Sequence, residues 1–147
     1  MLVRLLIVDD DPLMVELLQR FMNPVCSFID STDTLVGAEE KLQSKEFNVV
    51  LLDLNLRGTG KWDAFHAIRS LKSHKVSVVV VSGILDPHLR EDSMAAGADA
   101  FVQKSTDMNA HTLLLAANIA VLHLPHDSFH SESFTEHVKL LQQMVAA

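Results

Sequence analysis

The sequence predicts a doubly wound α/β fold, a five-stranded parallel sheet with helices on both faces. Three observations predict it. Short apolar runs alternate with amphipathic segments at a period of roughly 25 residues, the pattern of repeated βα units. One run is four valines deep, Val78-Val79-Val80-Val81, as expected for a central strand covered on both sides. The 147 residues fit one domain with a core of its own. Right-handed crossovers put such a chain into one doubly wound sheet, for which 2-1-3-4-5 is a common strand order. The topological switch point, where such sheets bind ligands, then lies between the first and third strands.

The elements follow in order. The first strand covers Arg4 to Val8. Asp11-Pro12 starts a helix, Asp as N-cap and Pro at the first helical position. Leu13, Leu17, Leu18 and Phe21 give that helix its inner face. Val25 to Ile29 is a short second strand, and Asp33 to Lys45 a second helix with Leu35, Ala38 and Leu42 at helical spacing. The third strand is Asn48 to Leu52, followed by a loop holding Gly58 and Gly60 and a helix from Trp62 to Ser73. Val76 to Val81 is the fourth strand. Asp86-Pro87 repeats the Asp-Pro start for a fourth helix, which Gly97 ends as a left-handed C′ residue. Asp99 to Val102 is the fifth strand and Asp107 to His123 the fifth helix. After a break at Leu124-Pro125, Glu132 to Ala147 reads as one more amphipathic helix with Phe134, Val138, Leu141 and Val145 on one side. The expected division is residues 1–123 as the domain and 124–147 as a linker or additional C-terminal helix.

Composition excludes several classes. A net charge of -7 argues against a nucleic-acid surface in this domain, since duplex binding rests on neutralising phosphates with Lys and Arg. The single cysteine, Cys26, excludes an internal disulfide framework. It sits among Val25, Phe28 and Ile29 and reads as a structural thiol. The start, Met1-Leu2-Val3-Arg4, runs into the first strand with no charged region and cleavage site, so no signal peptide is expected. The longest apolar stretch, Leu113 to Leu122, is far short of the ~20 residues of a membrane span. The expected location is therefore the cytoplasm.

The strand ends hold the chemistry. The first strand ends in Asp9-Asp10-Asp11, the third in Asp53, the fourth in Ser82-Gly83, and the fifth runs into Lys104. In a parallel sheet these residues meet on one rim, as carboxylates with one hydroxyl and one ammonium. Packed carboxylates repel, and a hard divalent cation relieves the repulsion. The combination suits such a cation and a phosphoryl group.

These landmarks resemble the receiver domain of two-component response regulators, over residues 3 to 123. The matching residues are Asp9-Asp10, Asp53, Ser82 and the run Gly97-Ala98-Asp99-Ala100-Phe101-Val102-Gln103-Lys104. The resemblance implies a flavodoxin-like fold and a phosphoacceptor role for Asp53. It implies Mg²⁺ on Asp10 and Asp53 directly, on Asp9 through water, and on the Asn55 backbone carbonyl. Lys104 and Ser82 would meet the phosphoryl oxygens. Ser82 and Phe101 would form the switch that remodels the surface of the fourth helix, fifth strand and fifth helix. Expected partners are a sensor histidine kinase or histidine phosphotransfer protein. The fifth helix has more apolar faces than sheet packing requires, so either the tail helix or a second subunit covers the excess; the resemblance implies a possible homodimer through that same surface. No nucleic-acid or membrane contact through the domain is expected.

Single residues weigh less than the constellation. Asp11 reads as an N-cap rather than a ligand. Trp62 and Phe65 read as packing residues. The histidines of the tail, His123, His126, His130 and His137, fit no zinc spacing. The chain departs from the family in three places. Lys104 precedes Ser105 instead of Pro, Arg57 stands where Pro is frequent, and Gly83 follows Ser82 where Ala is common. A cis bond before Ser105 would be expensive, which puts the loop's shape in question but removes no reactive group. Competing readings are a phosphorylation-independent interaction module of the same shape and the amino-terminal piece of a longer DNA-binding regulator, begun weakly at Phe134-Thr135-Glu136. A haloacid-dehalogenase-type phosphatase needs an Asp where Asn55 stands. A flavin phosphate would be repelled by the acidic first loop.

Overall fold

The structure, a computed structural model, describes residues 3–23, 26–56, 61–83 and 88–103, with the backbone alone at 61–64. Strands and helices alternate: β1 Val3–Val8, α1 Pro12–Met22, β2 Cys26–Thr32, α2 Leu35–Ser44, β3 Val49–Leu52, α3 Lys61–Lys72, β4 Ser77–Ser82, α4 Leu89–Ala95 and β5 Ala100–Gln103. All four strand pairings are parallel. The order is β2-β1-β3-β4-β5, as the sequence predicts. The switch point falls between β1 and β3.

The strands sort their side chains by alternation. Val3, Leu5 and Ile7 of β1 join Val49, Leu51, Val79 and Val81 in one core, packed against Leu18 and Met22 of α1. Leu6, Val8, Val50, Leu52, Val78 and Val80 face the other way, onto Ala38 of α2, Phe65, Ile68 and Leu71 of α3, and Leu89 of α4. Residues of β1, β3 and β4 are buried on both faces, which is why these runs read as uninterrupted apolar stretches. Asp99 pins the far side: its Oδ2 accepts from Val78 N–H and from Lys72 Nζ, each at 2.8 Å.

Several boundaries differ from the sequence reading. β2 continues past Ile29 to Thr32, pairing with β1 as far as Val8, while Val25, named as its start, lies outside the described residues. β4 is shifted by one, so Ser82 is the strand's last residue rather than the first beyond it. β5 likewise ends at Gln103. The cap of α2 is Thr34, whose hydroxyl accepts from Gly37 N–H at 3.0 Å. The inner face of α1 needs a correction. Leu13 is 77% exposed, and the buried stripe is Leu18 and Met22 with Met14 and Val15 beside it. At 3.6 residues per turn Leu13 lies about 140° and 180° around the helix from Leu18 and Met22, on the opposite face. Asp11 does cap α1, accepting from Leu13 N–H at 3.0 Å, with Pro12 next. α4 begins at Leu89 with His88 at its cap position; Asp86 and Pro87, named as its start, lie outside the described residues. Gly97 has φ 114° at the end of α4, the left-handed C′ residue expected there. Burial pushes the half-buried Cys26 thiol up to about 12, so it stays a thiol at neutral pH. Among the described residues no helix is long and apolar enough to cross a membrane. The expected fifth helix, the tail helix and the side chain of Trp62 lie outside the described residues.

Candidate functional site

The sheet's hydrogen bonds carry the acids to one level. Val8 pairs with Leu52 of β3 and with Thr32 of β2, so Asp9 and Asp53 are the next residues on neighbouring strands. Both remain tied to the ladder by their backbones. Asp53 N–H donates to Val8 O at 2.9 Å, and Asp9 N–H donates to Thr32 O at 3.1 Å. Asp9 is 3% exposed and Asp53 5%; Asp10 is half-buried. Two acids this deep at a strand end are not ordinary solvated carboxylates.

Each buried acid is held by a local turn. Asp9 Oδ1 accepts from Asp11 N–H at 2.9 Å, and Asp53 Oδ1 accepts from Asn55 N–H at 2.9 Å. These are matching Asx turns, in which a side chain binds the backbone two residues on. They fix the carboxylate orientation while the chain leaves the sheet. Below Asp53 the loop is anchored by Leu54 and Leu56, 5% and 4% exposed, which leaves Asn55 between them at the surface.

Asp9, Asp10 and Asp53 each bring a carboxylate oxygen within 4.8 Å of the others. Like charges at such a separation repel by on the order of a few kcal/mol at an effective dielectric near 20. The donor set fits Mg²⁺. All donors are hard oxygens, the type this ion selects.

The remaining candidates have different standing. Ser82 is fully buried at the end of β4. Leu52 pairs with Val80, so Ser82 lies one residue beyond the level of Asp53. Phe101 is half-buried on β5 and pairs with Val80, and Gln103 pairs with Ser82. Lys104 and Ser105, and with them the basic group and the shape of the loop, lie outside the described residues. The sequence reading missed Arg90 of α4. Its guanidinium donates to Phe101 O at 3.2 Å and lies 5.7 Å from the centroid of the Phe101 ring. A surface Arg in a short helix offers no sequence signal for such a contact.

A family model described as the response regulator receiver domain matches residues 5–116. The chain belongs to this family. Receiver domains work in two-component signalling, with histidine kinases or phosphotransfer proteins as the family's general partners. No curated protein matches the chain. Solved receiver domains share the fold at low identity. That of the TMAO respiratory system regulator TorR is 22% identical with a TM-score of 0.73, over 84% of this chain and 99% of that one. The BeF3-activated DrrB receiver is 20% identical with a TM-score of 0.71, over 84% and 100%. The receiver of a putative Luxo repressor protein from Vibrio parahaemolyticus is 18% identical with a TM-score of 0.72, over 95% and 98%. Membership fits the acidic site at the switch point of this receiver, where family members typically bind Mg²⁺.

Proposed function

We propose that this receiver takes a phosphoryl group onto Asp53 from a histidine kinase or histidine phosphotransfer protein. The observation that supports it best is the triad of Asp9, Asp10 and Asp53 oxygens within 4.8 Å at the ends of two adjacent strands. An Asp53 carboxylate oxygen attacks phosphorus, the bond from phosphorus to the donor's histidine nitrogen breaks, and the imidazole leaves. The product is an aspartyl phosphate. Asp10, Asp53 and the Asn55 carbonyl would hold Mg²⁺ directly, with Asp9 through water. The bound ion would supply charge neutralisation for the phosphoryl oxygens. Lys104 contributes a second positive charge to those oxygens. The Ser82 hydroxyl donates to one of them once the group has arrived, and Phe101 follows by changing rotamer. The face that α4 and β5 present then passes the signal to a partner or a second copy.

The test is incubation with a small phosphodonor and Mg²⁺, read by intact mass, beside Asp53→Ala. The expected result is a metal-dependent gain of one phosphoryl group that the variant lacks. A folded wild type that binds Mg²⁺ yet gains nothing from a small donor or from phosphotransfer proteins would favour a phosphorylation-independent interaction module instead.

A further inference from the structure

The contact between Arg90 and Phe101 joins an exposed helix residue to the aromatic of the switch. β5 is an edge strand, and Arg90 meets Phe101 twice, at its carbonyl oxygen and at its ring. The two contacts constrain different things. The hydrogen bond ties α4 to the β5 backbone. The guanidinium beside the ring is attractive only while the ring stays where it is, since the attraction holds only within about 6 Å of the centroid. Phe101 is otherwise only half-buried, packed from one side against the core that Leu89 and Ala98 share. A half-buried ring is one whose rotamer a single neighbour can bias.

We infer that Arg90 is a positioning residue that holds the Phe101 ring at the rim and so opposes its inward rotamer. This rests on the reading of Phe101 as the switch aromatic under the proposed function. Arg90 touches no reacting atom; it acts through Phe101. By linkage, a contact made only with the ring outward lowers affinity for any ligand that favours the ring inward, and its removal raises that affinity by the same factor. An exposed cation–π contact corresponds to about two- to fivefold.

The experiment compares the full chain with Arg90→Ala and Arg90→Lys. One readout is the NMR signal of the Phe101 ring, assigned by its loss in Phe101→Leu, with no phosphoryl mimic added. The second is affinity for beryllofluoride with Mg²⁺. Arg90→Ala is expected to shift the ring signal and strengthen beryllofluoride binding about two- to fivefold. Arg90→Lys keeps the charge but loses the planar fork, and is expected to fall between. Unchanged ring signal and affinity in Arg90→Ala overturn the inference. A shift in Arg90→Ala that Arg90→Lys does not partly restore also overturns it, because a cation would then not be what holds the ring. If the wild type binds no beryllofluoride at all, the phosphoacceptor reading fails, and the ring signal alone decides whether Arg90 holds Phe101.

Discussion

Adjacent aspartates in the first loop do different work. Asp11 is exposed and caps α1 through Leu13 N–H, whereas Asp10 belongs to the carboxylate triad. Their substitutions should separate. Asp11→Ala is expected to cost about 1 kcal/mol of stability, the usual value of an N-cap, with Mg²⁺ affinity changed no more than about twofold because the lost charge is exposed and screened. Asp10→Asn is expected to leave urea stability equal or higher while weakening Mg²⁺ at least about tenfold, since a carboxylate of the proposed site is replaced by a neutral amide. Urea unfolding and a calorimetric Mg²⁺ titration check both; a large metal effect from Asp11→Ala would move that residue into the ligand set. The acids themselves are legible in the sequence because each ends an apolar run, so the strand's end fixes their place. Leu13 is misread because its partners at helical spacing, Leu17 and Phe21, are apolar too, whereas the stripe that is fully buried runs through Leu18 and Met22 on the other side of the helix. The Asx turns and the Arg90 contact depend on loop and rotamer geometry, which no residue pattern encodes.

Elements were legible where burial dictates composition. β1, β3 and β4 are apolar throughout because both faces are covered, and their centres fall where the sequence places them. β2 is harder: its second half is Asp30-Ser31-Thr32, polar residues that carry no strand signal. As an edge strand it tolerates them, and Asp30 is neutralised by Lys41 at 2.8 Å and Lys45 at 3.3 Å. Burial pushes the Asp30 pKa up, but hydrogen bonds from Lys41, Ser31 N–H and Lys45 outweigh it and hold the carboxyl below its usual range. The end of β2 also sets a constraint on α2. Gly37 lies in the first turn of the helix, where a Cβ would run into the Thr32 hydroxyl and lie 3.3 Å from Thr32 Cβ. Replacing a helical Gly by Ala ordinarily stabilises by up to about 1 kcal/mol. Here Gly37→Ala is expected to reverse sign and destabilise by about 1 kcal/mol, because β-branched Thr32 has few rotamers to retreat into. Thermal unfolding of Gly37→Ala and of Gly37→Ala with Thr32→Ser checks it. A stabilised single variant would mean that Thr32 yields and that the helix does not press on β2 there.

Across the whole molecule, ladder hydrogen bonds from β1 and β3 bring Asp9 and Asp53 side by side at the buried ends of neighbouring strands. To the extent that surrounding groups leave those charges unbalanced, their repulsion weakens the fold until a cation binds. Asp53→Asn tests this with little change of shape. The amide keeps an Oδ1 that can still accept from Asn55 N–H, so the Asx turn survives while one charge disappears. Without Mg²⁺ the variant is expected to be more stable than the wild type by about 1–3 kcal/mol in urea unfolding, a fraction of the unscreened repulsion. With Mg²⁺ the wild type should recover, because a cation that binds the folded state alone stabilises it by about 2.7 kcal/mol at a hundred times its dissociation constant. The variant, with a ligand charge missing, should gain less, so the two denaturation midpoints converge as Mg²⁺ rises. Equal stabilities in chelator would mean that the cluster is already relieved by its surroundings, and that the site's affinity for Mg²⁺ does not draw on repulsion stored in the fold.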